Sequence, residues 1–182
     1  MCERSFFRAF LRGLGAWAVL LLAVPAQAQR QAPEPELKAA ILVNLLLFVD
    51  WRNPGAQPQD RLSACYLEPG PVARALVQFE GKLLRGKPLR VMRINQAQVE
   101  GCHLLYLSPV ESASLPELVP VVSSKGVLLA GDTPGYLQRG VMLNLDIEGG
   151  RVVFDVNLRA VRQAGLAVSS KVLRLARTVQ GD

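Results

Sequence analysis

Apolar positions run almost unbroken through "APEPELKAAILVNLLLFVDW" (32–51), with Lys38 and Asn44 as the polar interruptions after the opening prolines and glutamates. The pattern predicts a helix from about Glu36 to Val49, and a helix apolar nearly all round belongs in a core or an interface. Leu42, Leu45, Leu46 and Phe48 offer more apolar surface than one covering layer of a small sheet needs. A C-terminal helix or a second subunit is expected to cover it, and a homodimer is the favoured arrangement. "RNPGAQPQD" then reads as a loop from its turn residues.

Beyond that loop the period shortens. "RLSACYL" (61–67), "LRVMRI" (89–94), "HLLYLS" (103–108) and "GVLLAG" (126–131) are short apolar runs of strand length. Helical stretches lie between them at "VARALVQFE" (72–80) and "ESASLPELVPVVS" (111–123), the latter shortened by Pro116 and Pro120, with a short turn at "QAQVE" (96–100). Strands alternating with helices predict a mostly parallel sheet covered on both faces. "GVMLNLDIEGGRVVFDVN" reads as an antiparallel hairpin turned at Gly149-Gly150, since a glycine pair supplies the positive φ angles of a tight turn. The chain closes on "LRAVRQAGL" and "SSKVLRLARTV", the second read as a helix capped by Ser169 or Ser170 with a stripe of Val172, Leu173, Ala176 and Val179. The fold class expected is α/β: a single domain, a mostly parallel sheet flanked by helices, a C-terminal antiparallel hairpin and terminal helices.

The N-terminus changes the picture of location. Arg4, Arg8 and Arg12 precede an apolar run from Leu14 to Val24 that ends on Ala26-Gln27-Ala28. This is the layout of a cleaved secretory signal, and the run is too short for the ~20 apolar residues of a membrane span. Residues 1–28 are therefore read as a signal peptide and 29–182 as one periplasmic domain. Two cysteines then remain, Cys65 and Cys102, and an even pair in an exported chain predicts one disulfide. The net charge of +6 owes three arginines and one glutamate to the removed segment. The remaining excess is mild, and no nucleic-acid partner is expected.

The candidates for chemistry are few. In "LLAGDTPGYLQRG" (128–140) an apolar run meets a glycine-rich loop, but Gly131, Gly135 and Gly140 lack P-loop spacing and no lysine follows to hold phosphate. The dinucleotide fingerprint fails too, because a strand follows the loop. Asp132 and Thr133 are read as turn residues making local side-chain bonds. His103 is the single histidine, without the nucleophile or further ligands that catalysis or a metal requires. Ser169-Ser170-Lys171 is read as a helix start, and Lys171, Arg174, Arg177, Arg159 and Arg162 as a solvated basic face or a docking face for an acidic partner or an anionic membrane surface. No catalytic group, metal or cofactor is expected.

"ELKAAILVNLLLFVDW", "LSACYLEPGPVARAL", "LRGKPLRV", "GCHLLYLSPVESASLPEL", "VLLAGDTPGYLQRGVMLNL" and "GRVVFDVNLRAVRQAGLAVSSKVLRLAR" together span nearly all of the chain after the signal. They resemble the YfiR/HmsC family of periplasmic regulatory proteins. The resemblance implies an α/β fold, often a dimer, and a structural disulfide at Cys65 and Cys102. It also implies a non-enzymatic regulator that restrains an inner-membrane diguanylate cyclase or similar membrane sensor by protein contact, lowering cyclic di-GMP, exopolysaccharide and biofilm. A second cysteine pair found in some relatives near the hairpin is absent from "MLNLDIEGGRVVF". In "FDVNLRAVRQAGL" (154–166), Asp155 is expected to point outward, with Leu158, Val161 and Leu166 as the apolar centre of a partner-binding patch. The alternative is a small-ligand binder whose site lies at the carboxyl ends of the strands, edged by Glu68, Ser108, Asp132 and Thr133.

Overall fold

A computed structural model describes residues 32–52 and 57–181. The predicted signal segment, residues 1–28, lies outside the described residues. In chain order the elements are α1 (Glu34–Leu45), β1 (Val49–Trp51), β2 (Leu62–Tyr66), α2 (Pro71–Val77), β3 (Leu83–Leu84), β4 (Lys87–Arg93), β5 (Leu104–Leu107), α3 (Leu115–Ser124), β6 (Leu128–Gly131), β7 (Leu143–Glu148), β8 (Arg151–Asn157), α4 (Leu158–Gln163), β9 (Leu166–Val168), α5 (Ser170–Leu173) and β10 (Thr178–Gln180).

The main sheet has eight strands in the order β10-β8-β7-β6-β5-β2-β4-β3. The pairs β4–β2, β2–β5, β5–β6 and β6–β7 are parallel. β8 turns back antiparallel on β7, and β10 adds parallel to β8. β5 and β6 are buried at every residue, as strands covered on both faces must be. From β2 the chain moves outward to β4, then returns past β2 to β5 and continues to β6 and β7. Right-handed crossovers in two opposite directions place the connecting helices on opposite faces. α1 packs against α2, and α3 against β6 and α4.

The hairpin follows its predicted chemistry. Glu148 pairs with Arg151, leaving two loop residues, and Gly149 and Gly150 have φ of 56° and 75°. Two positive φ angles in a two-residue loop fit the twist of the flanking strands, and side chains resist both. α3 runs through Pro120 to Ser124, while Pro116 sits in its first turn, where a missing N–H costs nothing.

Several expectations are corrected. The first helix stops at Leu45, tightens into a 3₁₀ turn at Leu46–Phe48, and gives way to β1, which pairs antiparallel with β9. The C-terminal helix shrinks to four residues. Thr178 and Val179, both β-branched, extend along the free edge of β8 instead, because pairing there outweighs a short stretch of helix. Ser169 stands at the N-cap of α5 without capping it, and its backbone N–H goes to the Phe48 carbonyl. Leu42, Leu45 and Leu46 are buried within the chain itself, while Phe48 is half-buried against the core.

Candidate functional site

At the carboxyl ends of the parallel strands the direction of winding reverses between β2 and β5, the position where open α/β sheets form a crevice. Here the crevice is filled from within. Glu111, 6% exposed, reaches back from the loop after β5. One carboxylate oxygen accepts the Glu68 backbone N–H at 3.0 Å, and the other accepts the Ser108 hydroxyl at 2.6 Å. The Ser108 carbonyl in turn accepts the Tyr136 hydroxyl at 2.7 Å. Next along the same edge, Asp132 accepts the Tyr106 hydroxyl at 2.8 Å and Lys38 Nζ at 3.1 Å. Lys38 also pairs with Glu34 at 2.6 Å, one turn earlier in α1.

The electrostatics follow from that packing. Burial pulls the Lys38 ammonium down, but the bonds to Glu34 and Asp132 outweigh it and its pKa rises. Lys38 therefore stays charged inside the protein. Burial pushes the Tyr106 phenol far up, helped by the Asp132 carboxylate, so it remains a hydrogen-bond donor. A buried cation is tolerated only when paired and bonded, and Asp132 and Glu34 supply that here.

The four residues expected to edge a ligand site therefore meet at one end of the sheet with different fates. Ser108 and Asp132 are spent in the internal network. Thr133 makes no side-chain bond among the described residues, and the bonds of Asp132 are long-range, so the local turn bonds expected for this pair are corrected. The Glu68 side chain is exposed and pairs with Arg93 at 2.8 Å. Beside them lies an open groove of about 600 Å³, walled by Leu67, Arg93, Ile94, Asn95 and Val110. The sequence reading missed Lys38, Glu111 and Tyr136. Lys38 carried a signal, being the one cation in an otherwise apolar helix. Glu111 and Tyr136 carried none.

The segment expected to face a partner is differently placed. Leu158, Val161 and Leu166 are buried, at 8%, 0% and 3% exposure, so the free apolar centre is corrected. They fix α4 and β9 to the sheet. Asp155 does not point into solvent either. At 9% exposure it accepts two bonds from the Arg177 guanidinium, at 3.0 and 2.5 Å. Arg177 also reaches Asp146 at 3.0 Å, and these bonds, Asp155 first, raise its pKa. Of the expected basic face, Arg159, Arg162, Lys171 and Arg174 are exposed, but Arg177 leaves it, because it lies beyond α5 and clamps the start of β10 onto β7 and β8.

Cys65 and Cys102 form a disulfide, both fully buried, with Cα atoms 6.0 Å apart. His103 stands just before β5, at the opposite end of the sheet, where its Nδ1 accepts the Ser63 backbone N–H at 3.1 Å. Among the described residues no group of three or more His, Cys, Asp or Glu is placed to hold a metal. None of the described helices is long and apolar enough to cross a membrane.

The fold has distant counterparts among solved structures. A conserved domain protein from Vibrio cholerae O1 biovar eltor superposes with a TM-score of 0.54 at 14% identity, covering 81% of this chain and 60% of that one. An ABC domain from Streptococcus pneumonia, crystallised in complex with L-Trp, gives 0.53 at 10% identity, covering 80% and 60%. At such identities the likeness is one of fold, and the chain spans about three fifths of each counterpart. The match in sequence is to a family described as DUF4154, YfiR/HmsC-like, and it runs from residue 35 to residue 177, so the chain belongs to the YfiR/HmsC-like family.

Proposed function

We propose that this protein is a periplasmic regulator without catalytic activity. It restrains an inner-membrane diguanylate cyclase, or a similar membrane sensor, by protein–protein contact. Family membership across 35–177 carries this reading. The internal network is in keeping with it: the acidic and cationic groups at the sheet's carboxyl edge bond one another, which suits a scaffold better than an acid–base pair. The regulator acts by binding one of the sensor's two states more tightly, since only differential affinity shifts an equilibrium. Deleting the gene should raise cyclic di-GMP and matrix output, and supplying the chain in the periplasm should restore both. Unchanged cyclic di-GMP in the deletion strain would remove the cyclase from the reading.

A second reading is a small-ligand-binding protein. The groove beside Glu68 and Arg93 supports it, for it lies at the winding reversal where such folds bind ligands. Crosslinking in cells separates the two: the first reading requires a membrane protein attached to the chain, and the second does not.

A further inference from the structure

The outer edge of the main sheet is only partly covered by backbone. β3 pairs with the start of β4, Leu83 against Pro88 and Leu84 against Lys87. The residues between α2 and β3 extend that cover by one step. Leu89 N–H donates to the Lys82 carbonyl at 2.9 Å, and Gly81 N–H donates to the Leu89 carbonyl at 2.8 Å. There the backbone cover ends. At the next position a side chain takes over: Glu80 Oε2 accepts the Val91 backbone N–H at 2.6 Å, and Oε1 pairs with Arg90 at 2.9 Å.

The ladder fixes which groups point outward. Ile94 N–H donates to the Tyr66 carbonyl, so the even-numbered residues of β4 bond to β2 and the odd-numbered ones turn their backbone away from it. Leu89 and Val91 accordingly meet Lys82, Gly81 and Glu80. Arg93 comes next in that series. Its backbone N–H and C=O, and the Val91 C=O, have no partner among the described residues. The side chains of Val91 and Met92 are half-buried against the core and would gain cover from another strand.

We infer that Glu80 is an edge guard, whose carboxylate denies the open end of β4 to a second copy of this chain. The bare stretch is self-complementary. A two-fold axis through Met92 sets Val91 of each copy against Arg93 of the other, and each such pairing exchanges an N–H and a C=O in both directions. Half of those bonds need the Val91 N–H, which Glu80 already holds. The carboxylate also lies where an incoming strand would bring its carbonyl oxygens, and it repels them. A charge placed on a sheet edge is a recognised way for a protein to avoid pairing with its own copies. Arg90 keeps the guard in position by holding its second oxygen. The inference does not depend on the membrane partner proposed above.

Sedimentation equilibrium of the purified parent, Glu80→Ala and Glu80→Gln chains over a range of concentrations tests it. Glu80→Ala frees the Val91 N–H and should self-associate at least about tenfold more tightly than the parent. Glu80→Gln loses the charge but keeps an oxygen for Val91, so it should associate more weakly than Glu80→Ala. Amide hydrogen exchange locates the contact. In dilute Glu80→Ala the Val91 amide should exchange faster than in the parent, and it should slow again as the concentration rises. Sedimentation of Glu80→Ala identical to that of the parent overturns the inference. So does Glu80→Gln associating as tightly as Glu80→Ala, or an association of Glu80→Ala that leaves the Val91 amide unprotected.

Discussion

Two side chains carry most of what can be tested at the scale of single residues. His103 has a folded-state pKa of about 4, below its unfolded value of 6.5. The unfolded chain therefore binds more protons between those limits, and the folded state loses stability as pH falls through that window. The loss tends toward roughly 3 kcal/mol once the pH is below both values. Carboxylates titrate nearby, so the measurement is the difference between the parent and His103→Gln. The parent should fall more steeply between pH 6.5 and 4, and equal slopes would show that His103 is protonated freely in the fold. Asp155 is the second. Its placement against Arg177 means that charge reversal at 155 disturbs the fold before it disturbs any partner. Asp155→Asn should cost about 1–3 kcal/mol, and Asp155→Lys more, because it sets two cations together. A melting temperature unchanged in Asp155→Lys would return the residue to the surface. The sequence could not show this pairing. Phe154-Asp155-Val156 alternates as a strand should, but Arg177, which meets Asp155, is brought there by β10, the strand beside β8 that the pattern had cast as helix.

Between elements, legibility followed length and burial. β2, β5 and β6 were readable because strands buried on both faces are continuous apolar runs. β1, β9 and β10 have three residues each, and nothing local separates such a segment from the end of a helix. β10 exists because β8 leaves a backbone edge that needs a partner, and β1 and β9 supply each other's partners in a two-stranded sheet of their own. The loop after β6 shows a similar dependence. Gly131 ends β6 with its Cα against the ring of the fully buried Tyr136, so an added Cβ would overlap that ring. Tyr136 cannot yield easily, since its hydroxyl is bound to the Ser108 carbonyl. Gly131→Ala should therefore destabilise by about 1–3 kcal/mol, the usual cost of overpacking a closed site. In chemical denaturation the midpoint should drop. If Gly131→Ala melts with the parent, the Tyr136 ring is free to move and the tie across this edge is slack. The glycine is thus explained by packing, and the phosphate-loop reading of "GDTPG" has no part in it.

For the whole molecule, the Cys65–Cys102 disulfide decides how firmly one side of the sheet is held. It joins β2 to the residue just before His103 and β5, across a sequence separation of 37. Everything between them, namely α2, β3 and β4, is the excursion to one side of the winding reversal, and its outer strand β3 has only two residues. The bond thus ties the two central strands at the base of that excursion. In the chain-entropy view, closing a loop of this size stabilises by about 4 kcal/mol. Both sulfurs are fully buried, so reductant should act on the folded protein only as fast as the protein opens. Unfolding, reducing and refolding the chain in reductant should lower its unfolding free energy by about 4 kcal/mol relative to the oxidised form. A change below about 1 kcal/mol would mean that the ladder from β4 to β2 already holds the excursion alone.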